Sequence, residues 1–274
     1  MKKHAIGKSL LTVFLAGYLF SCSEDTNEVA QETAPTIPPA STFAMDISAF
    51  PTAEDESNNG RTADAKWNYA HAALNFGFWH TVTTVQLVVP VAAFRASFNH
   101  QAEYLGDEQR WRWKYQVPVG QDTYEAKLYA KLAESSVQWE MHLSKEGVYE
   151  DFVWYTGTSQ FDGSGGSWTV RTDPEDSPRD ALQIDWKKDG ENVAELQYTS
   201  IDESNDYYES YIKVGISEST DFDKYYQVFN SKEDNLLKVE FNTETKVGRV
   251  ADTKRFKDDA WHCWNASLED TVCE

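Results

Sequence analysis

Cys263 and Cys273, with His262 beside the first, are the residues of this chain best placed to do chemistry. In an oxidising compartment two such thiols pair. The loop between them is short, so the bond would stabilise the fold by about 2.5–3 kcal/mol in the chain-entropy picture. The competing use is a metal site built from His262, Cys263 and Cys273, but three possible ligands with two adjacent in sequence make a poor one. Catalytic patterns are otherwise missing: there is no Gly-x-Ser-x-Gly, His-Glu-x-x-His, Cys-x-x-Cys or phosphate loop. Asp162-Gly163-Ser164-Gly165-Gly166-Ser167 is rich in glycine, yet it lies between two strands with no helix after it and reads as a hairpin loop. With 45 acidic residues, a glycosidase-like carboxylate pair cannot be picked out. Of the histidines, His71 and His80 fall on an apolar helix and read as satisfied core groups. No catalytic residue, metal or cofactor is expected. Trp111, Trp113, Trp139 and Trp186 lie on the apolar faces of alternating segments. They read as core, or as the lining of a cavity for an apolar ligand between a sheet and a helix.

The elements that position these residues are one helix and a long run of strands. Residues 67–94 carry no charge in a chain that is 26% charged. Asn68, His71 and Asn75 recur at helical spacing, with Leu74, Phe76 and Phe78 among the apolar residues over the remaining surface. Thr62 and Asp64 supply a cap and a first-turn acid. Residues 81–89 hold four valines and three threonines, which favour strand, and Pro90 removes an N–H. The expectation is a kinked helix, or two in succession, ending near Phe98. About 20 apolar residues cross a bilayer, so the length would suffice. The two histidines and two asparagines count against a span, and a helix apolar nearly all round reads as a buried core element.

After the helix, apolar and polar residues alternate. Trp111, Trp113 and Tyr115 share a face, as do Val137, Trp139, Met141 and Leu143, and Leu182, Ile184 and Trp186. Period two with one apolar face means antiparallel strands half in water. Lys145-Glu146-Gly147, Asp162-Gly163 and Lys188-Asp189-Gly190 are hairpin signals. The fold class expected is α+β: a curved antiparallel β-meander, an open barrel of about ten strands, packed on the N-terminal kinked helix. Residues 62–274 form its single domain.

The amino end is a targeting segment. Lys2, Lys3 and Lys8 precede an apolar run over residues 9–19, and the segment ends Leu19-Phe20-Ser21-Cys22. Leu19, Ser21 and Cys22 resemble the end of a bacterial lipoprotein signal, and Phe20 departs from that pattern. The resemblance implies cleavage after residues 1–21 and a covalent diacylglycerol and acyl lipid on Cys22. Ser23 is not the aspartate that would retain a lipoprotein at the inner membrane. Ser23-Glu24-Asp25 resembles an acidic tag for display outside the cell. Residues 22–61 read as the lipidated cysteine and a disordered acidic tether, in which Phe43, Met45, Ile47 and Phe50 form a short docking piece. Removing the three lysines takes the net charge from −20 to −23, which argues against nucleic acid as a partner.

Trp261-His262-Cys263-Trp264, followed by Leu268, Asp270 and Cys273, resembles the ending of a group of uncharacterised bacterial lipoproteins. Pro90-Val91-Ala92-Ala93-Phe94 and the stretch from Asp151 to Thr158 resemble the same group. The resemblance covers most of the domain and implies architecture, with no activity attached. A half-barrel closed by a helix is also the layout of periplasmic lipoprotein carriers, an analogy of architecture alone. The expected function is a non-enzymatic interaction or structural role at the outer membrane, with a protein or glycan as partner. The alternative is a carrier or sensor of an apolar ligand.

Overall fold

The computed structural model describes residues 33–44, 50, 66–175 and 177–273. The signal at 1–21, Cys22, Met45, Ile47, Thr62 and Asp64 lie outside the described residues.

One continuous helix, α1 (Trp67–Ser97), with Pro90 inside it, forms where one kinked helix or two in succession was expected, so the doubled alternative is ruled out. Its β-branched run stays helical because the packing of Thr83, Leu87 and Val89 into the core overrides the local preference, and two of its hydroxyls bond back to the helix. Thr81 Oγ1 donates to Gly77 O at 3.0 Å and Thr83 Oγ1 to Trp79 O at 2.9 Å. Pro90 sits inside the helix, and Gln86, whose carbonyl loses its usual donor, faces water. One side of α1 is buried, through Ala72, Phe76, Trp79, Leu87, Ala93 and Phe94.

Among the described residues fourteen strands follow in a single antiparallel sheet whose spatial order is the chain order. They are β1 (Glu103–Leu105), β2 (Arg110–Val119), β3 (Asp122–Leu132), β4 (Ser136–Lys145), β5 (Tyr149–Gln160), β6 (Gly165–Arg171) and β7 (Asp180–Asp189). Then come β8 (Asn192–Ser200), β9 (Tyr211–Ile216), β10 (Lys224–Asn230), β11 (Asn235–Phe241), β12 (Gly248–Ala251), β13 (His262–Trp264) and β14 (Asp270–Thr271), with the short helix α2 (Thr253–Phe256) after β12. The expected strand count was low for a physical reason. β1, β13 and β14 are too short to show alternation. β6 and β12 open on Gly165-Gly166 and Gly248, which read as turn residues. The glycine-rich stretch is corrected accordingly: Gly163 turns with a positive φ, while Gly165, Gly166 and Ser167 pair with β7.

The sheet is open, not a barrel: β1 pairs with β2 alone and β14 with β13 alone. Between its two ends lies α1, which packs on β2 at one end and on β12, β13 and β14 at the other. Eleven strand spacings from β2 to β13 make an arc of about 53 Å. The helix from Asn68 to Ala93 covers about 38 Å. The chord is shorter than the arc, so the sheet must curl around the helix.

Of the described residues before α1, those around Phe43 and Phe50 pack under it. The compact unit begins at Ala34, well before residue 62. Residues 40–42 form a 3₁₀ turn that seats Phe43 against Phe94, Tyr155 and Trp168, with ring centroids 4.6–4.8 Å apart. Tyr198 Oη donates to Phe43 O at 2.9 Å. Phe50 packs among Phe76, Tyr226 and Phe241. The expected docking piece is therefore part of the core at Phe43 and Phe50.

Side chains on the concave face crowd as the sheet curls, and the sequence relieves the crowding by alternating large and small residues. Trp111, Ala130, Trp139, Gly157 and Trp168 stand in one cross-strand row over β2 to β6. Three indoles fit on strands about 4.8 Å apart only because alanine and glycine separate them. The same device recurs where Gly166 faces Trp186 and Gly248 faces Trp264. A β-carbon at Gly157, Gly166 or Gly248 would overlap the facing indole. Gly157→Ala is expected to lower stability by about 2–4 kcal/mol. Gly106→Ala, whose new carbon meets nothing within 4 Å, should change it by less than about 0.5 kcal/mol. Urea unfolding of the two variants checks the contrast.

Candidate functional site

The features that could act on something outside the protein gather at α1, so its attachments come first. Its first N–H groups lack helical partners, and among the described residues an acceptor comes from the far end of the chain. Asp270 Oδ1 accepts from Asn68 N at 2.9 Å and Oδ2 from Trp67 N at 3.2 Å. Asn68 Nδ2 donates to Cys263 O at 3.0 Å. Cys263 and Cys273 are joined by a disulfide that closes the loop carrying Asp270. The bond thus holds a helix cap in place 200 residues away from the helix in sequence. His262 stacks on Phe256 at 3.7 Å and lies 3.0 Å from Asp258 Oδ1. No three His, Cys, Asp or Glu residues among those described are grouped to hold a metal.

One turn further along, His71 Nε2 lies 2.8 Å from Asp252 Oδ2. Asp252 also caps α2 and accepts from Asn235 Nδ2 at 3.1 Å. Burial pushes the Asp252 carboxyl up, but the bonds from His71, the Arg255 N–H and Asn235 outweigh it and hold it below the usual range. Deeper in, Tyr226 Oη donates to Ala72 O at 2.5 Å and Tyr115 Oη to Ala93 O at 2.6 Å. These two phenols, from β2 and β10, fix both halves of the helix.

These attachments invert the helix. Asn68, His71 and Asn75, the polar face of the helix, are buried or half-buried and bonded, as expected of His71 as a satisfied core group. The wet face is apolar. Trp67 (50% exposed), Leu74 (72%), Phe78 (54%), Val85 (71%) and Val88 (54%) line it, with the exposed Thr81 among them. At 3.6 residues per turn these positions fall within an arc of about 80° and run for about 32 Å. Tyr207, from the β8–β9 connection, adds its ring 6.3 Å from Phe78. The helix is long and apolar enough to cross a membrane, yet its other side is committed to the core.

Two grooves flank it. One, of about 280 Å³, is lined by Phe43, Leu87, Val88, Val91, Ala92 and the exposed Arg95. The other, of about 400 Å³, is lined by Phe50, Phe76, Leu196, Tyr226, Phe241 and Lys224. Trp111, Trp113, Trp139 and Trp186 share the buried concave face, with Trp113 and Trp139 6.0 Å apart, and none of them lines either groove. No family model, curated protein or solved structure matches the chain. The exposed stripe was legible only as the spacing 74, 78, 81, 85 and 88. That pattern is masked in a helix whose buried side is equally apolar.

The capping arrangement predicts coupling. Asp270→Ala should cost about 1 kcal/mol and Asp270→Asn less, since an acceptor remains. Replacing both Cys263 and Cys273 by serine should cost about 2.5–3 kcal/mol. In that background Asp270→Ala should cost less than in the oxidised protein, because the loop no longer holds the carboxylate in place. A double-mutant cycle from denaturant midpoints measures the difference.

Proposed function

We propose that this chain is a lipid-anchored extracytoplasmic protein, held through Cys22 on the outer membrane and facing outward, that acts by interaction and not by catalysis. The lipoprotein-like signal supports the address. The exposed apolar stripe on α1 carries the interaction reading. Contiguous apolar surface of this kind marks a contact with a partner or a membrane, and here it interrupts a strongly acidic body. Packing of the chain's own Phe43 and Phe50 into the concave face supports the same reading, since the space a carrier would keep for cargo is occupied.

A second reading, carrier or sensor of an apolar ligand, rests on the two grooves. Of their volumes, about 280 Å³ falls just below and about 400 Å³ at the low end of the roughly 300–1,000 Å³ found for ligand sites. Mass spectrometry decides both parts. Intact mass of the full chain expressed in a Gram-negative host should give a mature protein beginning at Cys22 and carrying lipid, with Cys22→Ser free of it. A soluble mature chain cut elsewhere and without lipid would refute the anchor. Native mass spectrometry of residues 23–274, made in an oxidising host, should give the bare polypeptide. A stoichiometric apolar passenger would instead favour the carrier.

A further inference from the structure

We infer that α1 is a membrane-docking element: its exposed stripe lies flat on the lipid bilayer to which Cys22 is anchored. The inference rests on the lipid-anchored reading for its geometry and adds the surface that meets the bilayer. Two observations choose lipid over other occupants. The first is chain length. Eleven residues, 23–33, separate Cys22 from the compact unit that begins at Ala34. They span no more than about 40 Å even fully extended. A body of this many residues is about 45 Å across, so the anchor cannot hold it clear of the membrane by more than its own diameter. A contact that needs millimolar lipid in free solution then forms readily at the cell, because the tether sets a high effective concentration of bilayer.

The second observation is charge. The whole chain carries −20, yet residues 67–94 carry none. Bringing two copies together stripe to stripe would press two strongly acidic bodies against each other. A neutral lipid surface imposes no such repulsion and accepts Leu74, Phe78, Val85 and Val88 directly. Trp67, at the start of the stripe, is of the type that settles at the headgroup level. In an interfacial helix a charged face normally stays in water; here the folded body occupies that side. The buried contacts of Phe76, Trp79 and Phe94 keep the helix from leaving the core to span the bilayer.

The test uses residues 23–274 without lipid, which retain the whole compact unit, so its result does not depend on whether Cys22 is acylated. The probe is phosphatidylcholine vesicles at millimolar lipid. Wild type should sediment with them. Leu74→Glu combined with Val85→Glu, at positions more than 70% exposed, should keep the wild-type circular dichroism and melting temperature while partitioning roughly tenfold less or weaker still. In parallel, Thr81→Cys carrying an environment-sensitive dye should shift to the blue on adding vesicles, whereas the same dye at Glu108→Cys, in the β1–β2 turn, should not. The inference is overturned if wild type stays in the supernatant, if the glutamate variant sediments equally, or if both dyes respond alike. A dimer that Leu74→Glu splits would also overturn it, by assigning the stripe to a second copy. Failure of any arm leaves the acylation of Cys22, read separately by intact mass, untouched.

Discussion

A helix uncharged from Trp67 to Phe94 and largely apolar around its circumference has been set as the chord of a curled sheet, and the rest of the molecule follows from that constraint. A helix lying across a sheet can bury only one side. The buried side of α1 takes Phe76, Trp79 and Phe94, and the backbone is then held at points along its length. Asp270 accepts from the first N–H groups, and Tyr226 and Tyr115 donate to Ala72 O and Ala93 O. The sheet stays open because the helix, Phe43 and Phe50 occupy the space that closure would remove.

Magnitudes rank these attachments. A fully buried indole removes about 200 Å² from water, or up to about 5 kcal/mol at 25 cal/mol per Å². A cap contributes about 1 kcal/mol and the disulfide about 2.5–3 kcal/mol. The row through Trp111, Trp139 and Trp168 therefore holds the sheet in its curl, and the capping and covalent contacts decide how firmly the helix start is docked. This ordering explains the placement of glycine. At Gly157, Gly166 and Gly248 a strand gives up side-chain contacts of its own so that a neighbouring indole can lie flat on its backbone. Cross-strand aromatics over glycine are one way a sheet fixes its register and bends.

Much of the fold was legible from period-two alternation and turn chemistry. The strands around Trp113, Met141, Ile184 and Val239 and the hairpins at Gly147 and Gly190 fall where the residues place them. What escaped was set by distant partners. Residues 81–89 favour strand locally, but the helix absorbs their hydroxyls and the core takes Leu87 and Val89. The cap for Trp67 lies at Asp270, beyond the reach of any local pattern. Asn68, His71 and Asn75 are polar because Cys263 O, Asp252 and the helix's own carbonyls await them, not because water does. A helix with apolar residues all round offers no moment from which to choose its buried side. The apolar stripe at Leu74, Phe78, Val85 and Val88 therefore emerged only once the sheet had claimed the other side.

The central claim is that two apolar sides of one helix have opposite fates, and thiol reactivity reads it most directly. In residues 23–274 with the disulfide formed, a cysteine placed at Ala72 or at Leu74 is the only free thiol. Ala72 is fully buried and Leu74 is 72% exposed, two residues apart. The account predicts that Leu74→Cys reacts with a maleimide within about tenfold of the rate of a peptide thiol. Ala72→Cys should react roughly a thousandfold more slowly, through opening of the core. Equal rates, or protection at position 74 to match that at 72, would contradict it.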